Sequence, residues 1–231
     1  MRRIQDAALL LRSSPFGESD AVVTFLTQDS GKLSAVARGA RKNSKRFGGA
    51  LESLHTLRVE LEDRGKELLT LKEASVVELR LALQQNLEGI EAVGVALRWA
   101  RALCPPRTPE RDAFDALTGL IASVDAGAAP RTELARVGLR LLVSTGFALE
   151  LEQCVRCGRK CPDGRPAAID VAQGGLVCSA CGGARVVIPA ALRRNAMAIL
   201  RGDDLPLSPV DAEDLVRLVE LALAAHGGIE S

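Results

Sequence analysis

The chain has 231 residues, 47% of them apolar and 26% charged, with a formal net charge of +1. That length can bury a sizeable core in one large domain or two small ones, and the composition is ordinary for a soluble globular protein. No stretch of about 18 uninterrupted apolar residues exists, which excludes a membrane-spanning helix, and the apolar run at 7–11 is too short for a signal-peptide core, so a cytoplasmic, reducing compartment is expected.

The small total hides an uneven distribution. Counting Lys and Arg against Asp and Glu, residues 1–80 carry +3, 81–149 carry 0, 150–201 carry +4 and 202–231 carry −6. An anionic ligand is therefore compatible with this chain.

Residues 1–80 read as β-structure. Segments at 7–11, 21–26, 32–38, 54–62 and 67–77 mix β-branched and aliphatic residues and often alternate. Turn formers separate them at Ser13-Ser14-Pro15, Asp29-Ser30-Gly31 and Asp63-Arg64-Gly65. Five short strands at this spacing predict a small closed barrel of the OB type, with a two-layer sandwich fragment as the alternative. Between Asp29 and Glu52 the chain runs 22 residues without an acidic side chain. Lys32, Arg38, Arg41, Lys42, Lys45 and Arg46 fall there. Cations on a barrel loop suit phosphate, because each one that neutralises a phosphate releases condensed counterions. A solvated loop is the plainer reading of the same run.

From about residue 78 the texture becomes helical. A helix is expected over 78–103, ended by Cys104-Pro105-Pro106. Thr108-Pro109-Glu110 reads as an N-cap with proline at the first helical position, opening a second helix to about 124. A third spans about 132–150, and Leu97, Trp99, Leu103 and the 139–143 run look like core. Two more helices follow at 189–200 and 208–225, the last opened by the cap signature Ser208-Pro209-Val210-Asp211. The expected class is α+β: an OB-fold domain over 1–80, then an all-α helical domain over 81–231 carrying a cysteine-rich insert at about 152–186.

Within that insert, Cys154-Val155-Arg156-Cys157 and Cys178-Ser179-Ala180-Cys181 form two C-x-x-C pairs separated by 20 residues. Each pair makes a tight knuckle, and two knuckles brought together surround one tetrahedral ion, the pattern of a zinc ribbon. The expected cofactor is one structural Zn2+ on Cys154, Cys157, Cys178 and Cys181. Four thiolates close the coordination shell, which argues against a catalytic zinc. Cys161 could stand in for Cys157 but reads more simply as a spare thiol, and Cys104 as a small buried residue. Arg156, Arg159, Lys160, Arg165, Arg193 and Arg194 suggest a second cationic surface around the insert.

Signals for catalysis are missing. The two histidines, His55 and His226, lie in no triad-like context, and neither a phosphate loop nor a dinucleotide fingerprint occurs. The expectation is a binding protein with no catalytic residues.

The segment Ser14-Pro15-Phe16-Gly17-Glu18-Ser19-Asp20, then 22–27, Gly31-Lys32, and Ala37-Arg38-Gly39-Ala40-Arg41-Lys42 with Ser44 resembles the RecO family of DNA repair and recombination mediators. The order of parts fits as well, although only the first 50 residues and the cysteine pairs are specific. The resemblance implies binding to single- and double-stranded DNA, annealing of complementary strands, and replacement of single-strand-binding protein by the recombinase RecA. RecR would be the main partner, and the protein would be cytoplasmic and nucleoid-associated. The family's basic surface carries over to Lys32, Arg38, Arg41, Lys42, Lys45 and Arg46 as a loop, since no motif fixes individual contacts.

OB-folds that hold single strands usually stack bases on aromatic rings. Here residues 1–80 contain only Phe16, Phe25 and Phe47. Phe25 alternates with core positions, Phe16 fits a turn, and Phe47 in the basic loop is the expected stacking residue. With so few rings, affinity should come mainly from phosphates. Three rival readings stay open: an RNA- or ribosome-associated OB/zinc-ribbon protein, a thiol oxidoreductase, and a scaffold whose acidic last helix recruits a basic partner.

Overall fold

A computed structural model describes residues 1–42, 47, 49–51, 54–203 and 205–226. The chain divides into two compact units, Met1–Ala128 and Ala129–Ser231.

In the first unit, β1 (Arg2–Phe16), β2 (Asp20–Thr27), β3 (Gly31–Ala37), β4 (Thr56–Asp63) and β5 (Leu69–Glu78) close into a barrel in the order β1-β2-β3-β5-β4. Neighbours are antiparallel except β3 and β5, which meet in parallel at Ala35↔Leu69 and Val36↔Thr70. This is the OB-fold expected from the strand spacing. Alternation explains it: Leu33, Ala35 and Ala37 of β3 point inward, as do Leu57, Val59 and Leu61 of β4. They surround Phe25, which is fully buried.

β1 extends well beyond the predicted 7–11, because it serves both neighbours, β2 and β4. A strand this long must bend to close a barrel, and the register slips between Leu10 and Arg12. Such bulges sharpen the local twist. A second slip on β5 leaves Lys72 unpaired opposite Glu60 and Leu61.

Two helices complete this unit, α1 (Leu87–Leu103) and α2 (Arg111–Asp125). The expected start at 78 is corrected. Glu78 still belongs to β5, one turn of 3-10 helix follows at Leu83–Gln85, and α1 opens only at Asn86, whose side chain accepts the Gly89 N–H at 2.9 Å. The expected cap at Thr108 is also replaced. Its hydroxyl donates to the Pro106 carbonyl at 3.3 Å, and the helix starts after Glu110. The cause is tertiary. Pro106 runs beside Lys32, and the Arg107 N–H donates to the Lys32 carbonyl at 3.0 Å. Gly31, at φ +76°, permits that approach, because a Cβ there would lie 2.2 Å from the Thr108 carbonyl oxygen.

The second unit packs α3 (Pro130–Ser144), α4 (Ala190–Leu200) and α5 (Pro209–His226) around Leu139, Leu142, Leu192, Leu215 and Val219. Leu97, Trp99 and Leu103 of the first unit are buried as expected, and so are Leu139, Leu141 and Leu142, whereas Val143 faces solvent. α3 ends at Ser144 instead of 150, since Gly146 takes a left-handed φ of +84°. Ser208 caps α5: its hydroxyl accepts the Asp211 N–H at 3.1 Å and donates to the Asp211 carboxylate at 2.9 Å. Among the described residues no helix is long and apolar enough to cross a membrane.

Between α3 and α4 lies the cysteine-bearing segment. It holds a small antiparallel sheet, β7-β6-β8, from β6 (Ala167–Asp170), β7 (Gly175–Leu176) and β8 (Val186–Ile188). The sequence shows this stretch as irregular, because strands of two to four residues are too short to display a period.

Candidate metal centre and nucleic-acid surface

The sulfurs of Cys154, Cys157, Cys178 and Cys181 all lie within 4.8 Å of one another. Cys157 and Cys178 are 3.7 Å apart. Tetrahedral coordination with bonds of about 2.3 Å requires sulfurs about 3.8 Å apart, so the four thiols fit one ion. Backbone turns build both knuckles. The Gly158 N–H returns to the Cys154 carbonyl at 2.8 Å, and the Gly183 N–H to the Cys178 carbonyl at 3.0 Å. Gly158, Gly182 and Gly183 take the positive φ these turns need.

The knuckles also polarise their sulfurs. The Cys178 N–H donates to Cys154 Sγ at 3.4 Å, and with further backbone donors it brings the Cys154 thiol down to about 6. Cys181 is pushed up to about 12 by the thiols of Cys157 and Cys178 beside it. Negative charge shared in so small a cluster favours one thiolate and resists the last. A bound cation relieves that conflict.

Arginines brace this site. Arg156 reaches across, donating from Nε to Gln173 at 2.7 Å and from Nη1 to the Cys181 carbonyl at 2.7 Å. Arg193 of α4 is buried and donates to Cys161 Sγ at 2.8 Å and to the carbonyls of Pro162 at 3.0 Å and Cys161 at 2.9 Å. Cys161 thus lies outside the four-sulfur cluster, held by an arginine. Arg193 thus serves the fold and leaves the expected cationic surface, whereas Arg156, Arg159, Lys160, Arg165 and Arg194 are exposed.

On the barrel, the six candidate cations separate. Lys32 is half-buried and donates to the Arg101 carbonyl at the end of α1 at 2.6 Å; burial lowers its pKa. It closes a helix C-terminus, where a cation meets the unpaired carbonyls. Arg38, Arg41 and Lys42 are exposed at and just beyond the end of β3. The Arg41 N–H donates to the Ser19 carbonyl at 3.0 Å and its guanidinium to the Gly17 carbonyl at 3.0 Å, which fixes the loop onto the β1–β2 turn. Lys45 and Arg46 lie outside the described residues.

The phenylalanines exchange roles. Phe47, expected as the stacking ring, is buried at 4% exposure among Ala50 and the barrel core. Phe16, expected to pack in a turn, is 50% exposed. It lines an open groove of about 560 Å³ with Val36, Arg38, Arg64, Lys66 and Leu68. The groove joins the β1–β2 and β4–β5 connections over the end of β3, the face on which OB-folds take oligonucleotides. Sequence reading missed Arg64 and Lys66, which look there like ordinary turn residues.

Glu62, at the groove floor, is held down to about 2 by hydrogen bonds from Lys72 and Arg64. Lys72 approaches to 2.8 Å, a reach its unpaired bulge position permits. Asp20 accepts the Gly39 N–H at 2.8 Å. These two carboxylates are thus occupied within the protein.

The comparisons with known proteins agree over nearly the full length. The family model described as Recombination protein O N terminal matches residues 1–80, and that described as Recombination protein O C terminal matches 84–230. A DNA repair protein RecO of Anaeromyxobacter sp. (strain K) is 37% identical over 217 residues, covering 93% of this chain and 85% of that protein. One of Myxococcus xanthus is 35% identical over 231 residues, covering 99% and 94%. Another, of a Nocardioides species, is 32% identical over 229 residues, covering 96% and 93%.

Proposed function

The chain belongs to the Recombination protein O family of DNA repair proteins, and from that premise we propose that it is a non-catalytic mediator that grips single- and double-stranded DNA by the phosphates and anneals complementary strands. The observation that carries this reading is the exposure of Arg38, Arg41 and Lys42 on the rim of the OB barrel. Lys45 and Arg46 extend the same run in sequence. Lys32, anchored to α1, supports the barrel behind that surface.

Neutralised phosphates let two strands approach, since the repulsion between their backbones falls, while base edges stay free to pair. In cells this activity would serve a cytoplasmic, nucleoid-associated protein that works with RecR to load RecA on DNA coated with single-strand-binding protein. Residues 1–80 would bind DNA and residues 81–231 would carry the metal. We infer one Zn2+ on Cys154, Cys157, Cys178 and Cys181, where it would crosslink the knuckles and leave no open position for a reacting group.

Salt titration tests the DNA surface. Joint replacement of Arg38, Arg41 and Lys42 by Ala should reduce the slope of log affinity against log salt. The expected reduction is about 0.9 per lost contact on duplex and about 0.7 on single strands. Annealing of complementary oligonucleotides should slow in parallel. An unchanged slope would remove this surface from the binding site.

A further inference from the structure

We propose that the groove beside Phe16 is a base-capturing site for single-stranded nucleic acid, in which the Phe16 ring stacks one base while Arg38 and Lys66 hold the flanking phosphates. The inference rests on the reading that this barrel binds DNA, and deepens it by naming the strand form and the contact.

The first observation is the ring itself. The chain has no Tyr, its single Trp99 is buried, and Phe25, Phe47 and Phe114 are buried as well. Phe147 stacks on His226 at a centroid distance of 5.4 Å. Phe16 alone among the aromatics leaves half its surface in water. It stands at the last paired position of β1, opposite Asp20, where the barrel core does not use it. A large apolar ring held on a rigid strand end, exposed and unused in packing, is surface available for a ligand.

The second observation is where the ring stands. It borders a concavity of about 560 Å³, within the roughly 300–1,000 Å³ range that receives small organic groups. Leu68 and Val36 add apolar lining, and Leu68 is itself 36% exposed. Of the three acids in the groove, Glu62 is engaged by Lys72 and Arg64 and Asp20 by the Gly39 N–H, while Glu67 is exposed at the edge. The groove therefore sets the apolar side chains of Phe16, Val36 and Leu68 beside two exposed cations, Arg38 and Lys66. A nucleotide matches this order, with a flat ring inward and a phosphate at the edge.

Stacking uses the face of a base and leaves its pairing edge open, so capture here is compatible with annealing. It also requires an unpaired strand, because bases stacked inside a duplex cannot reach a groove ring. Duplex DNA would use only the outer cations.

The test measures anisotropy of the full-length protein with three labelled probes: an oligothymidylate, the same backbone with abasic spacers, and a duplex. The wild type should prefer the base-bearing strand over the abasic one by roughly 5- to 150-fold. Phe16→Ala should abolish that preference while leaving abasic and duplex affinities unchanged, and Phe16→Trp should keep it. A wild type that binds both single strands equally, or a Phe16→Ala protein that still prefers bases, overturns the base site alone. A wild type that binds none of the three at low salt overturns the DNA-binding reading with it.

Discussion

The barrel and the cysteine-bearing segment are both built from short strands, but different forces close them. In the barrel, alternate residues of every strand face one another and Phe25, Val59 and Leu61 fill the centre. Burial of such side chains, at about 25 cal/mol per Å² of apolar surface, suffices to hold the ring of strands together. The segment between α3 and α4 has strands of two to four residues, and its buried aliphatic side chains, among them Leu151, Ile169, Leu176 and Ile188, form only a small cluster of positions. Four clustered sulfurs, Arg156 and Arg193 add there to what aliphatic side chains do alone in the barrel. The same contrast governs the cations. Around the cysteines Arg193 is buried among carbonyls and a sulfur, whereas Arg38 and Lys42 on the barrel face water and Arg41, also exposed, shares its guanidinium with the Gly17 carbonyl. Clustered positive charge in a sequence therefore does not by itself identify a ligand surface. The partners decide.

Three experiments would break or sharpen that contrast. The largest effect is expected from Cys178→Ser. It should eliminate the proposed binding of zinc and open residues 150–186 to limited proteolysis, while the 1–128 fragment remains resistant. A segment that stays protected after losing its metal would show that its own packing is sufficient. Next, Phe25→Ala should destabilise the first unit by about 3–5 kcal/mol in urea unfolding, because the fully buried ring leaves a cavity that closed strands cannot collapse into. A cost below about 1 kcal/mol would mean that the barrel does not depend on its centre.

The smallest effect concerns Glu62. Its carboxyl is held at about 2, below its ordinary 4.5, by Lys72 and Arg64. A depressed carboxylate stabilises the folded state above its unfolded value and loses that contribution as pH falls through the folded one. The first unit should thus weaken between about pH 4.5 and about pH 2, and Glu62→Gln should flatten that part of the profile. An identical acid profile for the variant would deny the ion pairs any part in stability.

Much of this architecture is legible before any coordinates. Period-2 alternation marks Leu33, Ala35 and Ala37, and Asp29-Ser30-Gly31 marks the turn before them. Two C-x-x-C pairs announce a candidate metal centre because the chemistry of four sulfurs tolerates few spacings. What escapes is whatever depends on residues distant in the chain. Phe16 and Phe47 both sit in turn-like surroundings, and only barrel closure decides which ring turns inward. The Thr108 cap fails because Gly31, 77 positions earlier, draws that backbone alongside β3. Arg193 looks like surface until the carbonyls of 161–165 gather around it. Local pattern reports the strand; it does not report the neighbour.

Arg107 lies on the connection between α1 and α2. Its guanidinium donates to the Asp63 carboxylate at 2.9 Å and to the Lys66 carbonyl at 3.1 Å, while its backbone N–H is tied to Lys32. Lys32 in turn grips the last turn of α1. One side of the Phe16 groove is thereby tethered to a helix outside the barrel. Displacing that wall of the groove would therefore require breaking the Arg107 contacts to Asp63 and Lys66.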